Sequence, residues 1–405
     1  LLGRPAEHTP GEQILSMSES LKIMIVAGEA SGDTHAAKLV RAMREAAPET
    51  AFEFFGAAGR KLREAGVEAV VDSDGLSVVG LAEIARALPM FRRAYQALKR
   101  SAVEKSPDAV ILVDFPDFNL RLAKSLKKLG LLVIYYISPQ FWAWRKYRVE
   151  TVRKYVDLMI TILPFEKDWY ARQGITSVEY VGSPVAREVF AARSKEEFCR
   201  AHGLDPGKPI VTLLPGSRHK ELVRILPPML ETAALMSEKN ADIQFVIALA
   251  PVRDVSEAET AVKNIKNLPR VLKIIRGETY DAVSAADAAA VTSGTATLET
   301  GILGTPMAIV YKTSPVNYKL LRPLISVEHF GLINLIAGER VAREFIQEDF
   351  TPQNLSEELF HLLDPKENEL MRGRLKVIAD RLGHGGASRR AAEVILKTLK
   401  IALPG

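Results

Sequence analysis

The run LKIMIVA at 21–27, followed by the small, polar GEASGD at 28–33 and by helical spacing over 36–46, decides the fold class. A nearly unbroken apolar run reads as a parallel strand covered on both faces, because a strand with one wet face would alternate. A loop and a helix then carry the chain back to start the next strand. The unit recurs, with apolar runs at 52–55, 67–71, 109–113, 131–137, 158–163 and 178–181 and helical segments such as 120–129 between them. After GSP at 182–184, a charged stretch at 195–201 and the turn DPG at 205–207, the alternation restarts at 210–214, 243–249, 271–275, 288–292 and 307–311. The reading is α/β, with two doubly wound, Rossmann-like parallel-sheet domains at 21–187 and 188–352. A leader occupies 1–20, with Met17 as a candidate start, and helical segments fill 353–405.

Composition bounds the function. The 405 residues carry 54 basic and 49 acidic side chains, a net charge of +5, and no nucleic-acid motif, so nucleic acid is not expected as a partner. The single cysteine, Cys199, excludes an internal disulfide framework and a Cys-rich zinc site. The apolar runs are far too short to span a bilayer as helices. Residues 1–20 lack the basic region and apolar core of a secretion signal. No HExxH, Walker loop, GxGxxG or GxSxG string occurs. DSD at 72–74 has metal-binding spacing, but two carboxylates before Gly75 read better as a turn. No metal is expected.

In open α/β sheets ligands bind beyond the carboxyl ends of the strands, so loops following strands are the candidates. One set is Gly28, Glu29, Ser31, Gly32 and Asp33 after the first run. Asp114, Asp117 and Asn119 follow the run at 109–113, and a loop with Trp142 and Trp144 follows 131–137. Asp114 at a strand end suits a general base toward a hydroxyl; capping is the alternative for at least one of the three polar residues in its loop. In the second half, Gly216, Ser217 and Arg218 form a turn in which backbone and guanidinium can hold phosphate oxygens. Ser293, Gly294 and Thr295 open a helix, a natural anion site, and Glu299 one turn later can accept ribose hydroxyls. A surface turn and a capped helix with a solvated Glu explain each equally well alone. Two such sites in one domain favour a nucleoside diphosphate.

Residues 75–100 mix apolar side chains with Arg and Lys, and no acid falls between Glu83 and Glu104. Leu88, Met90, Phe91, Arg92 and Arg93 are the candidate contacts to an anionic membrane or lipid. The alternative is an amphipathic helix packed on the sheet.

Assembled, these strings resemble the lipid-A-disaccharide synthase family of inverting GT-B glycosyltransferases. VAGEASGD (26–33), DFPDFN (114–119), SPQFWAWR (138–145), LPFEKDWY (163–170), LLPGSR (213–218), SGTATLE (293–299), NLIAGE (334–339) and QEDFTPQNL (347–355) carry it, in order. The resemblance implies two domains facing across a cleft, with the terminal helices folded back on the first. It implies transfer of 2,3-diacylglucosamine from its UDP ester to the 6-hydroxyl of 2,3-diacylglucosamine 1-phosphate (lipid X). The products are lipid A disaccharide 1-phosphate and UDP, in lipopolysaccharide assembly of Gram-negative bacteria. It also implies no cofactor, a peripheral place on the cytoplasmic face of the inner membrane, and a homodimer as one assembly. Asp114 matches the family's base, Arg218 an arginine needed for activity, and Glu299, the 293–295 loop and Asn334 the UDP pocket. Ser183 stands where the family usually has His, and Ile333 where proline is common. The alternatives are a UDP-N-acetylglucosamine 2-epimerase-like isomerase and a non-catalytic nucleotide-sugar sensor.

Overall fold

The computed structural model describes residues 20–74, 81–143, 145–315, 318, 328–383 and 385–401, with the side chains of 81–87 excepted. The leader with Met17, part of the 75–100 stretch and Trp144 therefore lie outside the described residues.

The first sheet contains β1 (Leu21–Ala27), β2 (Phe52–Ala58), β3 (Glu68–Asp72), β4 (Ala109–Val113), β5 (Val133–Tyr136), β6 (Leu158–Thr161) and β7 (Val178–Tyr180). Their order is β3-β2-β1-β4-β5-β6-β7. The second contains β8 (Ile210–Leu214), β9 (Gln244–Leu249), β10 (Leu272–Arg276), β11 (Ala288–Thr292), β12 (Met307–Tyr311) and β13 (Glu344–Ile346), in the order β10-β9-β8-β11-β12-β13. The pairings β1–β2, β1–β4, β8–β9 and β8–β11 are all parallel. Every residue of β4, β8 and β11 is buried, which is why these strands read as continuous apolar runs. The two doubly wound parallel sheets are as expected.

Compactness divides the chain into two units. One holds the described residues up to Tyr136, Tyr155–Asp157 and the residues from Ala392; the other holds Ile137–Lys154 and Leu158–Ala391. In the first, helices α1 (Ala30–Ala46), α2 (Arg60–Glu64), α3 (Leu81–Lys105) and α4 (Pro116–Lys127) accompany the strands. In the second, α5 (Val149–Tyr155, its end excepted), α6 (Glu166–Arg172), α7 (Lys195–His202), α8 (His219–Lys239), α9 (Val255–Lys263), α10 (Thr279–Ser284), α11 (Thr295–Ile302) and α12 (Leu332–Ala337) do so. Helices α13 (Pro352–Leu363), α14 (Pro365–Arg381) and α15 (Ala387–Thr398) close the chain.

Strand order reverses direction beside β1 and β4 in one sheet and beside β8 and β11 in the other. Loops leaving two such strands part in opposite directions and open a crevice between them. The loops after β1 and β4, and those after β8 and β11, are the pairs singled out from sequence. Both departures from the family pattern pack well: Ser183 is a buried cap accepting from the Val185 N–H at 3.3 Å, and Ile333 is fully buried.

Candidate functional site

One of the two candidate regions lies within the second unit. A pocket of about 820 Å³ is lined by the loop after β8 (Gly216, Ser217, Arg218) and the loop opening α11 (Ser293, Gly294, Thr295), with Glu299 at its wall. The sequence-expected nucleotide residues other than Asn334 thus converge on one cavity. Gly216 sits at φ +102°, and a Cβ there would lie 2.6 Å from the Glu221 carboxylate, so the turn needs glycine. Arg218 is the N-cap of α8; its guanidinium is 3.0 Å from Glu221 Oε1, its side chain is 82% exposed, and its N–H donates to Glu221 Oε2. The guanidinium is thus paired through Nη1 with Glu221, and the rest of the side chain is exposed beside the pocket.

Glu299 is half-buried, and burial raises its carboxyl above the ordinary value, opposed by the Tyr280 hydroxyl donating at 3.2 Å. Burial and the Glu299 charge push the Tyr280 phenol up to about 12, so it stays a donor. Tyr280, Glu221 and the 65%-exposed Phe190 also line the pocket. Sequence reading missed these three. Only Glu221 left a signal, since an acid three residues after an N-cap is a capping pattern.

Asn334 does not line this pocket. It is fully buried: Nδ2 donates to the Ala342 carbonyl at 2.7 Å and to Glu344 at 2.8 Å, while Oδ1 accepts from Val341 and Ala342 N–H groups. Glu344 also receives the Phe330 and Gly331 N–H groups. With both donors and the acceptor engaged, the expectation of a UDP contact is corrected: Asn334 ties α12 to the strand β13 behind it. Asn334→Ala should cost about 3 kcal/mol, because it orphans buried partners. The expected result is a lowered Tm with unchanged UDP affinity in the folded fraction, measured by thermal unfolding and calorimetry.

The second region lies within the first unit, around Asp114 at the end of β4. Asp114 and Phe115 both have left-handed backbone, φ +47° and +51°, uncommon for non-glycine residues. The turn is fastened: Tyr135 donates to the Asp114 carbonyl at 2.6 Å, and Asn119 Nδ2 donates to the carbonyls of Asp114 and Val113 at 2.8 and 3.2 Å. Asn119 is thus a buried brace of the Asp114 turn, and its Oδ1 has no partner among the described residues. Gly28 lies under the Phe115 ring, where a Cβ would come within 2.2 Å of Cδ1. Burial first, and the nearby Glu29 charge second, push the Asp114 carboxyl up to about 6, opposed by the Phe115 N–H. A carboxylate poised there is a competent base near neutral pH. Glu29, Ser31 and Asp117 are exposed at the same strand ends, and Gly32 is buried.

Asp33 is corrected as a cleft residue: it is 4% exposed, and its oxygens accept the N–H groups of Gly59, Lys61 and Leu62 at 2.8, 2.7 and 3.3 Å. It caps α2. Asp72 and Asp74 pair with Arg63 at 2.9 and 2.7 Å, and the Asp74 N–H closes a turn onto Asp72, as the turn reading required. No group of His, Cys, Asp and Glu suited to a metal occurs among the described residues.

Trp142 is 5% exposed, and its Nε1 donates to Glu166 Oε1 at 3.1 Å. Oε2 of Glu166 accepts from Leu163 N–H at 3.0 Å and Ile162 N–H at 3.3 Å. Burial pushes this carboxyl up to about 7 against those bonds and one from Ser138. Glu166 drew no role from sequence; spacing alone does not distinguish it from a solvated acid in the first turn of a helix.

On α3, Leu88 is 58% exposed, Arg92 and Arg93 are exposed, and Phe91 is half-buried at 6.1 Å from the Phe115 ring. No helix among the described residues is long and apolar enough to cross a membrane.

Residues 23–396 match the family described as lipid-A-disaccharide synthetase. A lipid-A-disaccharide synthase of Trichlorobacter lovleyi is 43% identical over 387 residues, covering 95% of this chain and all of that protein. One from Syntrophus aciditrophicus is 45% identical over 381 residues, covering 93% and 98%. Among solved structures, a putative UDP-N-acetylglucosamine 2-epimerase from Listeria monocytogenes is similar in fold, with TM-score 0.64, 16% identity, and 94% and 97% of the two chains covered. A family match over residues 23–396, with relatives 43% and 45% identical over 95% and 93% of this chain, carries more than shared architecture: the chain belongs to the lipid-A-disaccharide synthetase family and is a glycosyltransferase.

Proposed function

We propose that the protein transfers 2,3-diacylglucosamine from its UDP ester to the 6-hydroxyl of 2,3-diacylglucosamine 1-phosphate, with inversion, releasing UDP and a β-1,6-linked disaccharide 1-phosphate. The observation carrying this reading is the convergence of Gly216–Arg218, Ser293–Thr295 and Glu299 on one pocket large enough for a nucleoside diphosphate. As the anomeric bond breaks, charge develops on the diphosphate. Backbone N–H groups opening α11 and the exposed guanidinium of Arg218 stabilise that charge. Glu299, kept in place by Tyr280, receives the ribose hydroxyls. Asp114 takes the acceptor proton while oxygen attacks from the face opposite the leaving group.

No metal or other cofactor enters this scheme. The substrates are amphiphiles, and the exposed Leu88, Arg92 and Arg93 on α3 support a peripheral place on the cytoplasmic face of the inner membrane. Reversing both arginines to Glu should weaken binding to vesicles containing anionic phospholipid by at least about tenfold, since each basic residue near such a surface contributes about 1 kcal/mol. Co-sedimentation measures this, and equal binding would remove the membrane assignment. The domain limits 21–187 and 188–352 and a homodimer belong to the same reading.

The direct test is UDP release from detergent-dispersed UDP-2,3-diacylglucosamine with lipid X, with the product anomer read by NMR. Epimer formed from UDP-N-acetylglucosamine alone would favour the isomerase reading. UDP binding without turnover of either substrate would favour a sensor.

A further inference from the structure

The loop over 138–145 follows β5, and within it Phe141 and Trp142 are buried. It is bounded by two residues with left-handed backbone, Ile137 at φ +67° and Arg145 at φ +58°. For a β-branched isoleucine this is a costly conformation, one that persists only where surrounding contacts over-determine it. None of these residues lines the nucleotide pocket.

Inside the loop the fastening contact is a carboxylate. Glu166, 1% exposed, receives the Trp142 indole N–H on one oxygen and the Leu163 and Ile162 N–H groups on the other. The Ser138 hydroxyl donates to the Pro139 carbonyl at 3.1 Å and lies 2.9 Å from the buried Tyr170 hydroxyl. Thus Glu166 ties the loop at Trp142 to the turn after β6, while at the loop's start Ser138 bonds to Tyr170 on the same helix, α6. The Trp142 ring also meets Phe165 edge-on at 5.1 Å. A buried, desolvated carboxylate is a poor stability device, since a well-packed apolar residue of its size would do as well or better. Its gain is geometric: one fixed arrangement of two strand-end loops.

We propose that Glu166 is a positioning residue of the transfer reaction, fixing the 138–145 loop in the geometry that admits the acceptor lipid rather than the nucleotide. The inference rests on the glycosyl-transfer reading above.

Glu166→Gln tests it at nearly constant volume. The amide has one acceptor oxygen, so keeping the Leu163 and Ile162 bonds turns its NH₂ group against the indole N–H. Trp142→Phe removes the same bond from the other side. Each should lower kcat/KM for the acceptor by about tenfold while UDP affinity stays within about twofold. The double variant should be no worse than the poorer single within about threefold, because both remove one interaction. Amide hydrogen exchange of 138–145 should rise about tenfold in Glu166→Gln, with the rest of the fold protected as before. That readout needs no substrate. Unchanged exchange in the loop overturns the inference whatever the activity. So do acceptor kinetics within twofold of the native enzyme, multiplicative effects in the double variant, or a parallel loss of UDP affinity. Raised exchange in a protein whose native form releases no UDP from these lipids would instead refute the substrate reading and leave the anchoring role standing.

Discussion

Asp114→Asn should abolish nearly all turnover, leave UDP affinity intact, and make the protein more stable at pH values above 6. The loss in kcat follows from removing a general base and is expected at about a hundredfold to ten-thousandfold. UDP affinity is spared because the nucleotide residues lie in a pocket that Asp114 does not line. The stability gain follows from linkage. The Asp114 carboxyl is pushed from 3.8 to about 6, chiefly by burial, so folding favours its protonated form. Below 3.8 both the folded and unfolded states hold the proton, and the group costs nothing. As pH rises toward 6 the unfolded chain ionises first, and the folded state falls behind. Above 6 the deficit is complete, and the full shift corresponds to at most about 3 kcal/mol. Asparagine keeps the bond from the Phe115 N–H and carries no charge. The stability gap between variant and native enzyme should therefore grow from near zero at acid pH to its maximum above 6. The same titration places the acid limb of native kcat/KM near pH 6, since the base works only when ionised. Denaturant titrations at several pH values, paired with single-turnover kinetics, check both halves. A flat gap would refute the shifted carboxyl, and turnover within tenfold of native would refute the base.

The strand scaffold was largely legible because buried parallel strands write themselves as apolar runs: every run read from sequence overlaps a strand. The strand β13 escaped, because three residues, Glu-Phe-Ile, hold too little pattern to register. The functional loops were legible through topology, since glycine-rich and polar segments after strands fall at the crevice wherever strand order reverses. What sequence could not supply is how polar side chains divide between ligand and fold. Asp33 and Asn334 sit in recognisable strings, yet their polar atoms are filled by partners such as the Gly59 N–H, 26 residues away, and the Ala342 N–H, 8 residues away. Glu166 is the converse, an unremarkable acid in a first helical turn whose burial depends on Trp142, 24 residues earlier. Hydrogen-bond partners chosen by tertiary packing leave no spacing signature.

The same division sets what the pocket asks of Arg218. Arg218→Ala should lower kcat/KM by about a hundredfold to a thousandfold, weaken UDP binding about tenfold, and leave Tm nearly unchanged. Stability is spared because an exposed i,i+3 pair such as Arg218–Glu221 contributes at most about 1 kcal/mol. Affinity falls because a charge-assisted contact to phosphate oxygens disappears, while the N–H groups opening α11 remain. Turnover falls further than affinity, since negative charge on the leaving diphosphate is greater in the transition state than in the bound sugar nucleotide. Arg218→Lys separates charge from shape: an ammonium restores attraction but not the planar fork, so UDP affinity should recover more than rate does. Glu221 provides an internal control, because it pairs with Nη1 of the same guanidinium. Glu221→Gln removes that carboxylate's charge and should leave the arginine free to meet phosphate, with UDP affinity equal to or above native. Isothermal titration with UDP and initial rates at saturating acceptor distinguish these outcomes. If Arg218→Ala loses rate and affinity in equal proportion, the arginine serves only to bind the nucleotide, and stabilisation of the leaving group passes to the backbone of the 293–295 loop.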